Sequence, residues 1–96
     1  MITEEVLQKV KARYDLVRVV AKYTAPLVLA GDKFQCRCPF HGCGSPAFTF
    51  CPRYQIFYCF GCEYGGEVFR FMKRLRGTSF LETVRDLGRE AGIQVP

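Results

Sequence analysis

Four residues between positions 38 and 62 constrain this chain more than any other feature. Cys38-Pro39-Phe40-His41 is followed, after residues 42–58, by Cys59-Phe60-Gly61-Cys62. Two ligand-type residues split by two spacers make a tight knuckle whose side chains can point at one ion. Two knuckles complete a tetrahedral set of three thiolates and one imidazole, the donors that zinc takes. His41 is the only histidine in the chain. Four protein ligands leave no open position for a reactive water, so the spacing predicts one structural Zn2+ held by Cys38, His41, Cys59 and Cys62.

The rest of the composition fits a chain that needs such a staple. Ninety-six residues predict one domain over 1–96, near the size where burial alone gives marginal stability. Six cysteines in so short a chain also admit a disulfide framework. The acidic opening Met1-Ile2-Thr3-Glu4-Glu5 lacks the basic then apolar order of a signal peptide, and disulfides would leave His41 unexplained. A redox role for Cys59-Phe60-Gly61-Cys62 would not require a second knuckle, and one is present. Cys36, Cys43 and Cys51 are read as small, partly buried thiols, with Cys43 near enough to His41 in sequence to compete for metal. The net charge of +5 favours polyanionic partners. No apolar run approaches the length of a membrane span, and the expectation is a soluble, cytoplasmic protein.

Along the chain, helices are expected over about 3–24, a zinc ribbon over about 32–64, and helices over about 66–92. Thr3 and Asp15 are N-cap candidates for two N-terminal helices. From Lys33 the residues alternate, with Phe34, Cys36 and Cys38 on one face and Lys33, Gln35 and Arg37 on the other. Ala47 to Cys51 and Gln55 to Cys59 are further strands, joined by a turn at Pro52-Arg53. Gly65-Gly66 is read as a turn, and Glu67 as a helix start with Val68, Met72 and Leu75 inward and Gly77 at its end. Ser79 and Glu82 form a capping box for a last helix, in which Phe80, Val84, Leu87 and Ala91 share a face. Gly92-Ile93 suits a left-handed C-cap. Phe40, Phe48, Phe60, Phe69 and Phe80 are assigned to packing.

Taken together, Cys38-Pro39-Phe40-His41, Pro46-Ala47-Phe48, Cys59-Phe60-Gly61-Cys62, Gly65-Gly66-Glu67-Val68-Phe69 and Ser79-Phe80-Leu81-Glu82 resemble the N-terminal zinc-binding domain of bacterial DnaG-type DNA primases. The resemblance covers nearly the whole chain. It implies an α+β fold, a zinc ribbon with a small antiparallel β-sheet flanked by N-terminal and C-terminal helices. It also implies a module that binds single-stranded DNA template and assists RNA primer initiation at the bacterial replication fork. Family-implied partners are the primase polymerase domain and the replicative helicase. Nucleotide addition, with Mg2+, belongs to that polymerase domain, which this sequence does not include, and no catalytic residue is assigned here.

Binding to a single strand combines cations for phosphates with flat rings for bases. The expected DNA-binding surface is Lys33, Phe34, Arg37, Arg53, Tyr54 and Phe57. Two other classes fit the same residues: a protein-interaction module docking the polymerase domain or helicase, and a free-standing plasmid- or phage-encoded zinc-ribbon regulator.

Overall fold

Five short strands hydrogen-bond in sequence order to form one antiparallel sheet. They are β1 (Val28–Ala30), β2 (Lys33–Cys36), β3 (Phe48–Cys51), β4 (Ile56–Cys59) and β5 (Tyr64–Gly66). Helices α1 (Glu4–Lys11) and α2 (Leu16–Ala21) precede the sheet, while α3 (Val68–Arg76) and α4 (Phe80–Glu90) follow it. The computed structural model describes residues 2–23, 28–40 and 48–96. His41, Cys43, Pro46 and Ala47 lie outside them, as does Pro26.

Register decides which side chains meet. Phe34, Phe50 and Phe57 stand in one cross-strand row, and Cys36, Phe48 and Cys59 in the next. Directly opposed residues project from the same face, so both rows point to the helical side. There Phe71 of α3 sits 6.0 Å from the Phe48 ring, 5.6 Å from Phe57 and 5.3 Å from Phe40. Val68, Phe69 and Met72 of α3 and Val84 and Leu87 of α4 complete the core with Val10, Leu16 and Val20. Edge-to-face ring contacts of this kind add about 0.5–1.5 kcal/mol beyond the apolar area they bury.

The helix ends follow their local chemistry. Thr3 and Asp15 accept from the backbone N–H groups of Val6 and Val17. Ser79 and Glu82 form the complete capping box. Gly77 ends α3 in the left-handed region at φ 69°. Gly92, at φ 75°, closes α4 with Ile93 N–H donating to Gly88 O at 2.7 Å. The α3–α4 pair is clamped by Arg76, which donates to both oxygens of Glu90 at 2.9 and 3.3 Å. Those hydrogen bonds hold the Glu90 carboxyl below its usual range.

Several expectations change. Gly65-Gly66 is not a turn but the core of β5, paired with Phe57 and Tyr58. A Cβ on Gly65 would lie 2.6 Å from Phe57 O and 2.7 Å from the Tyr58 ring, so only glycine lets β5 pair this closely. Gln55 is a turn residue at φ 55°, not the first residue of β4. Its side chain accepts from Leu16 N–H at 2.6 Å and donates to Pro52 O at 2.8 Å, tying the β3–β4 turn to α2. Phe60 and Phe80 are exposed rather than packed in the core. Strand β1, which no motif signals, adds an exposed edge through Val28 and Leu29.

Candidate functional site

Cys38 follows β2, Cys59 ends β4, and Cys62 lies in the turn between β4 and β5. The register that pairs Cys36 with Phe48 and Phe48 with Cys59 brings Cys38 beside the Cys59–Cys62 knuckle. The three Sγ atoms lie within 4.8 Å of one another, with Cys38 and Cys62 3.6 Å apart. Sulfurs on a tetrahedral zinc at about 2.3 Å stand about 3.8 Å from each other. No disulfide links these three thiols. Backbone N–H groups point at the sulfurs, from Phe40 to Cys38 and from Cys62 to Cys59, each at 3.4 Å. At Cys59 this dipole favours thiolate over thiol.

The electrostatics call for a cation. Burial works to raise the Cys59 pKa, but the Cys62 N–H and the neighbouring thiols outweigh it and bring it below its usual value. Burial and then the hydrogen bonds and charge of Cys38 and Cys59 push Cys62 up to about 12. A positive charge among three adjacent sulfurs would favour their thiolate forms. Soft sulfur donors at this spacing fit zinc. His41, the fourth expected ligand, lies outside the described residues.

The face of the sheet opposite the core is open. Gln35, Thr49, Tyr58 and Gly65 form a cross-strand row on it, with Lys33, Cys51 and Ile56 beside them. Lys33, Thr49, Cys51, Ile56, Tyr58 and Phe60 border a shallow depression of about 170 Å³. Phe60 is 69% exposed and Tyr58 41%, and their rings meet edge to face at 5.0 Å. None of the five strands carries an Asp or Glu.

The surface expected from sequence is only partly assembled here. Lys33 and Arg37 are exposed, as expected. Phe57 is a correction: it is 3% exposed and stacked on Phe48 at 5.3 Å, because it shares the inward face of Cys59. Phe34 is half-buried against Phe50, its ring 5.3 Å away, also on the inner side. Arg53 and Tyr54 are exposed in the β3–β4 turn, with the Arg53 guanidinium 5.4 Å from the Tyr54 ring. Tyr54 faces a separate cleft of about 370 Å³, shared with Gln8, Lys11, Asp15 and Glu67. The structure therefore joins Lys33 to Tyr58 and Phe60, and not to Tyr54. The signal that finds them is alternation from Cys59: if the ligand points inward, Phe57 does too, while Tyr58 and Phe60 point out.

Comparison with known proteins matches this geometry. The family model described as the CHC2 zinc finger covers residues 2–96. The chain is 36% identical over 95 residues to a DNA primase of Thermotoga maritima, covering 99% of this chain and 17% of that protein. It is 38% identical over 94 residues to a DNA primase of Staphylococcus epidermidis, covering 98% of this chain and 16% of that one. Among solved structures, the Aquifex aeolicus primase (zinc-binding and RNA polymerase domains) superposes with a TM-score of 0.82 at 30% identity. That match covers 95% of this chain and 22% of the other. The chain belongs to the CHC2 zinc finger family and has the fold of the zinc-binding domain of DNA primase.

Proposed function

We propose that this chain is the template-reading module of a DNA primase, binding single-stranded DNA on the open sheet face and assisting RNA primer initiation. The observation that carries this reading is the outer face itself, where exposed Tyr58 of β4 and Phe60 just beyond that strand lie beside Lys33, on a sheet whose strands are free of carboxylates. Phosphates are attracted by Lys33 and Arg37, with Arg53 at the hairpin end. Bases stack on the rings, each stack worth about 1–3 kcal/mol. One zinc, held by Cys38, His41, Cys59 and Cys62, closes the knuckles and fixes the sheet without taking part in chemistry. Nucleotide addition, with Mg2+, falls to a primase polymerase domain. That domain and the replicative helicase are the proposed protein partners, at a bacterial replication fork in the cytoplasm.

The test is a titration of the zinc-loaded chain with a labelled single strand across a salt series. Lys33→Ala/Arg37→Ala should keep its zinc and its circular dichroism while binding more weakly. Its slope of log affinity against log salt should be shallower by about 1.4, from about 0.7 for each phosphate no longer neutralised. Unchanged affinity and slope would sink this assignment of the face.

A further inference from the structure

A second cationic feature lies around the edge of the sheet, on α3. The Arg70 guanidinium carbon sits 4.6 Å from the centre of the Tyr64 ring. That of Arg74 sits 4.8 Å from the same ring and 5.0 Å from Phe40. Both arginines are exposed, and among the described residues neither forms an ion pair. The nearby carboxylate of Glu67 is engaged by Lys11. Tyr64 is itself pinned to the helix, its hydroxyl donating to Arg70 O at 3.0 Å.

Gly66 completes the cradle. A Cβ there would meet Arg70 Cδ at 2.4 Å, so the missing side chain is what lets the arginine stem lie across β5. A guanidinium held on ring faces keeps its donors in its own plane, free for anion oxygens. Its position is also set in advance, which lowers the cost of ordering it on binding. Two such groups at i and i+4 are neighbours on one helix face.

The two halves of the β5 edge connect this pair to the open sheet face. Between the exposed aromatic face and the arginines the chain presents two consecutive glycines, Gly65 covered by the Tyr58 ring on the outer side and Gly66 by the Arg70 stem on the inner. We propose that Arg70 and Arg74 are a second anchor for the same ligand, holding phosphates of the single strand as it leaves the sheet over β5 onto α3. This rests on the sheet face being the primary binding surface. A phosphodiester backbone is favoured over an acidic protein segment because the pair lies just round the β5 edge from a face whose rings suit bases.

The experiment measures anisotropy of a fluorescein-labelled oligothymidylate with the zinc-loaded 96-residue chain at several salt concentrations. Arg70→Gln/Arg74→Gln should bind about tenfold more weakly at low salt, with a slope shallower by about 1.4. Arg85→Gln/Arg89→Gln, which removes the same charge from α4, should keep the parent slope. Arg70→Lys/Arg74→Lys should recover most of the slope, since both charges remain. Zinc content and circular dichroism are read on every variant. Parent-like affinity and slope in the Gln pair, or an equal loss in the α4 control, overturn the second anchor. If Lys33→Ala/Arg37→Ala loses binding while the Gln pair does not, only the anchor falls. If the parent chain binds no single strand, the sheet-face reading falls and the anchor with it.

Discussion

Replacing Cys59 with Ser is expected to empty the metal centre and unfold the chain. Cys59 is fully buried at the end of β4, its sulfur in the cluster with Cys38 and Cys62 and receiving the Cys62 N–H at 3.4 Å. Zinc binding in small domains supplies about 10–16 kcal/mol of folding free energy. The net stability of a domain is only about 5–15 kcal/mol. A hydroxyl in place of the thiolate is a poor zinc ligand, and most of the metal contribution goes with it. Zinc content by mass spectrometry should fall from about one per chain to near zero, and far-ultraviolet dichroism should collapse towards that of an unfolded chain. A Cys59→Ser protein that keeps both its zinc and its dichroism would remove Cys59 from the ligand set.

Truncating Phe71 to Ala should give the second large effect, by a different route. The ring is fully buried and packs on Phe40, Phe48, Phe57 and Tyr23, so it joins α3 to the sheet and to the end of α2. Emptying such a site costs about 3–5 kcal/mol through reduced burial and a residual cavity. For a domain this small that corresponds to a fall in Tm of more than about 10 °C. Thermal unfolding of the zinc-saturated variant, with metal assayed in the folded sample, separates this from ligand loss: zinc stays near one per chain while the transition moves down. An unchanged transition would contradict the placement of Phe71 at the centre of the core.

Local chemistry makes much of this fold legible in the sequence. Thr3, Asp15, Ser79 with Glu82, Gly77 and Gly92 all act at helix ends, because capping depends on residues within a turn of each other. The paired spacing of Cys38 with His41 and of Cys59 with Cys62 likewise announces a metal site, since a knuckle is a local structure. What escapes is set by partners distant in sequence. Tyr64-Gly65-Gly66 has little intrinsic strand preference, and forms β5 only because Phe57 and Tyr58 supply the ladder and the Tyr58 ring occupies the space over Gly65. Gln55 has the composition of a strand start, yet its amide is taken by Leu16 and Pro52.

The open face is hidden at Phe57 for a simpler reason. Aromatic type alone points to a stacking platform there, whereas the two-residue alternation counted back from Cys59 does not. That alternation sends Phe57 into the core and leaves Tyr58 and Phe60 outside. The thiol cluster and the proposed binding face are thus coupled through β4. The strand that delivers the buried Cys59 sulfur on one side delivers the exposed Tyr58 ring on the other, and holding the first fixes the second.

Amide chemical-shift mapping of the zinc-loaded chain titrated with short single strands tests that coupling most directly. Saturable shifts are expected at Lys33, Gln35, Thr49, Tyr58, Phe60 and Gly65, and they should vanish when a chelator strips the metal. Shifts confined to α1 and α4, or none at saturating DNA, would contradict the sheet face as the reader of the strand.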